Sequence, residues 1–340
     1  MTKKFIARIS HADPTPPEVF FGRREFVAGA LAGAASIALP TGLRAQAEGN
    51  DEARILQPAL ERPDVFPAER NEDFKLPNGI RHDLTPRLEA ATHNNYYEFL
   101  PGRGGPAWKF AEKFEVEPWK VEVGGLCQKP QTFDLDDIFA FPHEERLYHF
   151  RCVERWAMNI PWSGFPLRSL LERVEPRSEA RFVRFVTVNR PDQMPGMVEA
   201  DYYPWPYHEA LRIDEAMNEL AFLVTGVYGE PLLKQHGAPI RLAVPWKYGY
   251  KSVKSIVQIE LTAEQPPIFW EVQKHEYGFL SNINPNIPHP RWSQRLSYWL
   301  GSEEPFQTAL FNGYEEYVGD LYPDEPRTEQ RPLRPGQIAR

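Results

Sequence analysis

In a chain of 340 residues only Cys127 and Cys152 carry thiols. Cys152 sits among charges and indoles in "HFRCVERWAMNIPWSGFPL", His149 to Leu167. A thiol so placed has three uses. It can be a small core residue, as free cysteines usually are. It can pair with Cys127 if the chain works in an oxidising compartment. Ionised beside Arg151 and Arg155, it can act as nucleophile or metal ligand. A structural zinc site needs several Cys or His ligands at short spacing, and no such cluster is present. The local signatures of thiol proteases are absent too. On the chemical side there remains one protein thiolate on a soft metal that an organic cofactor otherwise holds.

A second group of candidates is cationic. "PWKYGYKSVKS" places Lys247, Lys251 and Lys254 in an otherwise acidic protein, with Arg241 just before. Lysines on a solvated edge strand are ordinary, whereas a buried phosphate requires cations and free backbone N–H groups.

The elements that must position these residues are mostly strands. "WKVEVGG" from Trp119, "LYHFRCV" from Leu147, "RFVRFVTV" from Arg181, "LAFLVTG" from Leu220, "IRLAVP" from Ile240 and "SIVQIEL" from Ser255 each cluster β-branched and aromatic residues between Gly or Pro. In "LYHFRCV" the period of two puts Tyr148, Phe150 and Cys152 on one face, with Glu154 following if the strand continues. "FDLDDIFA", "LRSLLERV" and "WSQRLSYWLG" read as helices. With 34 prolines and 13% aromatic residues, the pattern predicts an α+β domain with a β-rich core at 119–265. Irregular arms are expected at 48–118 and 266–340.

The first 47 residues read differently. Arg23 and Arg24 precede Phe26, an uncharged run from Val27 to Leu39, and the small-residue site Ala45-Gln46-Ala47. The run is too short to span a bilayer. The three parts together are those of an export signal, and the paired arginines point to the Tat route, although Gly22 stands where Ser or Thr is more usual. The net charge of −8 excludes a general nucleic-acid or anionic-membrane surface.

"FRCVERWAMNIPWSGFPL" resembles the cysteine motif of the molybdopterin-binding oxidoreductases of sulfite oxidase type, and within them that of the protein-methionine-sulfoxide reductase catalytic subunits. "HNNYYEFL", "VRFVTVN", "HGAPIRLAVPWKYGYKSVKSIVQIEL" and "EYGFLSNINPNIPHPRWSQ" match in the same order. The resemblance implies a sulfite oxidase-type fold holding Mo-molybdopterin: one mononuclear molybdenum on one pyranopterin dithiolene without an attached nucleotide. It makes Cys152 the protein ligand to the metal, which excludes a disulfide with Cys127.

Carried over position by position, the resemblance sets Asn94, Tyr97 and Glu98 over the pterin and Asn95 toward the metal. Thr187 offers its hydroxyl to the pterin. His236 stands where the best-known relatives have Asn. Arg241 and the segment Ser252, Val253, Lys254 take the phosphate. Glu154 tunes the site or relays protons, and Tyr277 offers a hydrogen bond near the metal. Several also have an ordinary use: turn or cap for Asn94, Tyr97 and Glu98, strand residue for Thr187, turn residue before Gly237 for His236, ion pair with Arg151 or Arg155 for Glu154. The implied reaction is reduction of methionine sulfoxide in oxidised periplasmic proteins. Electrons would come from a membrane haem-containing subunit, MsrQ, since the chain has no haem motif, and export would use the Tat machinery. Two rivals stand beside it. A sulfite dehydrogenase on the same fold would need several arginines around the metal and commonly carries a further C-terminal domain. A non-enzymatic binding protein with a Cys127–Cys152 disulfide would hold no metal.

Overall fold

The computed structural model describes residues 51–81, 83–100, 106–302 and 304–329. The expected export signal at 1–47 lies outside them. Two mixed sheets make up the molecule. The first has the order β2-β1-β10-β5-β6, built from β1 (Lys120–Gly125), β2 (Gln131–Asp134), β5 (Phe182–Thr187), β6 (His208–Arg212) and β10 (Ile256–Thr262). Its local logic is alternation: Lys120 and Glu122 of β1 face outward while Val121 and Val123 are buried.

The second sheet runs β12-β11-β4-β7-β8, with β3 (Glu144–Arg151) on β4 (Trp156–Pro166) and β9 (Arg241–Ala243) on β7 (Phe222–Val227). Short β8 (Glu230–Pro231), β11 (Leu296–Trp299) and β12 (Pro305–Gln307) complete it. β4 is its spine, paired along its length with β3 and partly with β7 and β11. Gly164 is required there: a Cβ would stand 2.0 Å from the Leu223 carbonyl oxygen, beside the register shift between Ser163 and Gly164.

Helices are short. α1 (Arg87–Thr92) precedes the Asn94–Glu98 loop. α2 (Leu135–Phe139) starts at a reciprocal capping box between Asp134 and Asp137. α3 (Leu167–Val174) buries Leu167, Leu170, Leu171 and Val174, the spacing of one helical face. α4 (Pro195–Glu199), α5 (Ile213–Ala216) and α6 (Glu315–Val318) are single turns. No helix among the described residues is long and apolar enough to cross a membrane.

All six strands read from the sequence are present, as are the first two helices. The expected helix in "WSQRLSYWLG" is not: Leu296–Trp299 is strand β11. Its residues Tyr298 and Trp299 pair in parallel with Trp156 and Ala157 of β4. Buried Ser297 accepts from Arg151 Nε at 2.7 Å. Contacts with distant residues override a weak local helical pattern. The expectation that β3 continues through Cys152 is also corrected, for the strand ends at Arg151.

Candidate active site

Cys152 lies where β3 turns back into β4. The Arg155 N–H closes this turn on the Cys152 carbonyl at 2.9 Å, and Arg155 adopts φ 78°. The turn folds Glu154 back over the thiol. Its backbone N–H points at Cys152 Sγ from 3.4 Å. Asn95 Nδ2 reaches the same sulfur at 3.5 Å and the Glu154 carboxylate at 2.8 Å. Trp156 Nε1 donates to that carboxylate at 3.1 Å. Glu154 thus reaches the cysteine through a turn, not along a strand face.

Among the described residues neither of the two arginines near the thiol donates to its sulfur, though Arg151 donates to the Cys152 carbonyl at 3.3 Å. The Arg151 guanidinium runs to Ser297 Oγ and to the carbonyls of Gln294 and Leu296, tying β3 to the β11 segment. Arg155 lies over the Tyr298 ring at 4.9 Å. Burial pushes the Cys152 thiol well above its ordinary value, with the Glu154 charge adding to the rise. Desolvation therefore outweighs the two N–H donors and Arg151, and a metal cation would reverse the balance by favouring the thiolate. Both cysteines are buried and free.

One cavity is lined by Cys152, Arg241, Lys254, Asn94, Glu98 and His236, and Lys254 Nζ donates to the Asn95 carbonyl at 3.1 Å. Tyr97, Glu154, Asn95 and Tyr277 also line it. Arg241 starts β9 and donates to the carbonyls of His236 at 2.9 Å and Ser252 at 3.2 Å. Burial lowers its pKa to about 10. Lys254 is packed against the preceding turn: at Gly237, φ +98°, a Cβ would lie 2.6 Å from Lys254 Cβ. Burial depresses Lys254 and raises Glu98, each partly restored by the other's charge.

Three residues expected at the site stand behind this wall. Ser252 and Val253 are buried, and their backbone N–H groups already go to Gly249 and Lys251. Thr187 Oγ1 is buried beside Glu98, where it draws that carboxyl down, yet it finds no hydrogen-bond partner of good geometry. Lys247 and Lys251 are not solvated edge residues. Lys247 pairs with Glu215 at 2.7 Å and Lys251 with Glu209 at 2.6 Å, all four buried. They also donate to the carbonyls of Leu280 and Phe279, fixing the loop that follows Tyr277.

The donor set fits a pyranopterin. Neither Arg241 nor Lys254 forms a contact ion pair among the described residues; Arg241 is held by carbonyls and Lys254 by the Asn95 carbonyl near Glu98, so a phosphate would meet two buried cations with no carboxylate in contact. Two buried acceptors lack partners as well, Asn94 Oδ1 and His236 Nδ1. His236 Nε2 faces the Ala90 carbonyl at 3.1 Å, which makes it the protonated nitrogen and leaves Nδ1 to accept. Burial lowers the pKa of His236 to about 4 and keeps the ring neutral. Cations, unpartnered acceptors and a thiol around one cavity are the partners that phosphate, pterin and metal require.

Aromatic walls escaped the sequence reading. Trp156, Trp162, Tyr207 and Trp270 line the cavity, and Trp162 carries the Arg241 guanidinium at 5.0 Å from its ring. Trp156 and Trp162 lie six residues apart and so share a face of β4, but with nearly every position of that strand buried no alternation in the sequence marked the face. No sequence signal marked Trp270, which comes from a single 3₁₀ turn, Phe269–Gln273.

Residues 109–270 match the family described as "Oxidoreductase molybdopterin binding domain". Over 321 residues the chain is 44% identical to the protein-methionine-sulfoxide reductase catalytic subunit MsrP of Pseudomonas syringae pv. tomato, covering 92% of this chain and 94% of that protein. Among solved structures, the sulfane dehydrogenase SoxCD of Paracoccus pantotrophus is similar at TM-score 0.42 and 16% identity, over 64% of this chain and 61% of that one. With near full-length identity to an MsrP, and with a thiol, two buried cations and unpartnered acceptors around one cavity, this chain belongs to the protein-methionine-sulfoxide reductase catalytic subunits, MsrP, of the molybdopterin-binding oxidoreductases.

Proposed function

We propose that the protein reduces methionine sulfoxide within other proteins to methionine, restoring an apolar side chain to oxidised envelope proteins. The observation that carries the reading is the 44% identity over 92% of the chain to a protein-methionine-sulfoxide reductase catalytic subunit. The net reaction is R₂S=O + 2e⁻ + 2H⁺ → R₂S + H₂O. When bound, a mononuclear molybdenum on one pyranopterin dithiolene supplies the oxygen-atom transfer and the electron storage.

The chain's own residues bind, orient and tune. Cys152 is the metal ligand, its sulfur aimed by the Glu154 N–H and Asn95. Asn94 and His236 meet the pterin, with Thr187 behind them beside Glu98, and Arg241 and Lys254 meet the phosphate, backed by Ser252 and Val253. Tyr97 and Glu98 cover the cofactor from the loop after α1. Glu154, held by Asn95 and Trp156, is the nearest carboxylate to the sulfur and the group best placed to hold a proton beside it. The segments 48–118, 119–265 and 266–340 act as arm, core and arm, with 1–47 as a Tat signal. The working compartment is the periplasm, and a membrane haem subunit, MsrQ, supplies the electrons, a partner of the kind that the relative's name, "catalytic subunit", implies for it.

The test is molybdenum analysis of the exported protein beside Cys152→Ser, with sulfoxide reduction driven by a reduced viologen. Stoichiometric molybdenum and an activity that the substitution abolishes support the reading. A metal-free, folded, exported protein overturns it, and oxidation of sulfite with no sulfoxide reduction assigns the sulfite dehydrogenase reaction instead.

A further inference from the structure

Tyr277 does not stand alone at the cavity. Its ring is wedged between Trp270, 4.8 Å away, and Tyr250, 5.1 Å away, so the phenol can shift little. Its oxygen accepts from Arg291 Nη2 at 3.2 Å. Arg291 is held in turn by Glu276, at 2.5 Å from the same nitrogen, and its guanidinium lies over Trp292 at 4.7 Å. His289 stacks on Trp292 and brings its Nε2 to 4.0 Å from Glu276. The ion pair is only partly exposed, with side chains 26% and 10% accessible.

The consequence concerns one hydrogen atom. A phenol oxygen that accepts from a guanidinium directs its own O–H elsewhere, and among the described residues that O–H finds no acceptor. Tyr277 lines the cavity that holds Cys152, close enough for the two to feel each other's charge. A sulfoxide is a strong acceptor through oxygen, and reduction takes that oxygen away. A sulfide product has no comparable acceptor.

We propose that Arg291, fixed by Glu276, is a positioning residue that turns the Tyr277 hydroxyl into the cavity to donate to the oxygen of bound sulfoxide. The proposal rests on the sulfoxide-reductase reading and names the residues that recognise the S=O group. Charge building on that oxygen strengthens the bond, because a donor polarised by a cation stabilises developing negative charge more than a free phenol does. The aromatic wall of Trp270, Tyr97 and Trp156 takes the thioether carbons, so the site tells substrate from product by one hydrogen bond.

The experiment is a double-mutant cycle on the loaded enzyme, with N-acetylmethionine sulfoxide methylamide as substrate. Alongside it, calorimetry measures binding of that sulfoxide and of its sulfide. Tyr277→Phe is expected to lower kcat/KM about 100-fold and Arg291→Gln about tenfold, with Arg291→Lys recovering part of the loss. In the Tyr277→Phe background Arg291→Gln should cost nothing more, and the preference for sulfoxide over sulfide should vanish in both single variants. Additive losses, or an Arg291→Gln enzyme as active as wild type, overturn the proposal, and a thermal melt on each variant shows whether an additive loss comes from unfolding. If the wild type reduces no sulfoxide yet prefers it to sulfide through Tyr277, the reaction reading fails and this one stands. If it shows neither, both fail.

Discussion

Asn95 and Glu154 meet at 2.8 Å directly beside Cys152, through a hydrogen bond from amide Nδ2 to carboxylate Oε2. One residue comes from the loop after α1 and the other from the β3–β4 turn, so this bond joins that loop to the cysteine turn. The same amide points at the sulfur from 3.5 Å, so Asn95 links the thiol to the carboxylate.

Asn95→Ala should therefore lower sulfoxide reduction by about 10–100-fold, the range for groups that orient a metal ligand. Asn95→Asp should do worse, because a second carboxylate against Glu154 repels it. Steady-state kinetics with molybdenum content measured on the same samples checks both. Equal activity per molybdenum in Asn95→Ala and wild type would leave Asn95 without this role.

Arg241→Met and Lys254→Met should reduce the molybdenum retained per chain without unfolding the protein. Arg241→Met frees the carbonyls of His236 and Ser252 and Lys254→Met leaves buried Glu98 without its cation, so each costs some stability in the cofactor-free chain, while the phosphate loses a partner. Metal analysis beside thermal melts of cofactor-free protein reads the two effects separately. The expected outcome is lower loading in both variants, with a cooperative melt at a somewhat lower Tm.

Lys251 should behave in the opposite way. Lys251→Met leaves Glu209 buried and unpaired and should cost about 3–5 kcal/mol in denaturant unfolding. Replacing both, as Lys251→Met with Glu209→Leu, should recover most of that loss. Cofactor loading in the double variant should approach wild type, since this lysine holds the loop after Tyr277 rather than the phosphate.

His149 predicts acid sensitivity. Burial lowers its pKa from 6.5 to about 4, with Nδ1 at 2.8 Å from Asn159 Oδ1. Between those values the unfolded chain binds the proton and the folded one does not, so stability falls as pH drops from 6.5 to 4. The loss attributable to this residue is at most about 3 kcal/mol. Urea midpoints across that window should fall less steeply for His149→Gln than for wild type, whatever the variant's stability at neutral pH.

Local pattern was enough for elements whose two faces differ. β1 alternates buried and exposed residues, and α3 shows one apolar helical face. β4 was not legible, because ten neighbouring positions from Ala157 onward are nearly all buried and no alternation survives. The "WSQRLSYWLG" segment was misread for a related reason: it pairs with β4, a partner far away in sequence.

The sequence by itself determined which side chains could do chemistry: one thiol in a tryptophan-rich turn, and cations after "IRLAVP". Tertiary structure decided what each of them does. Three lysines within eight residues look alike in sequence, yet Lys247 and Lys251 are neutralised by Glu215 and Glu209 while Lys254 faces the cavity. Arg151 and Arg155 adjoin the thiol in the chain but turn to Ser297 and Tyr298. Arg291, fourteen residues from Tyr277, reaches its hydroxyl. The physical reason is that burial makes an unpaired charge costly, so the partner that folding supplies, rather than the neighbour in sequence, fixes the role of each charged side chain.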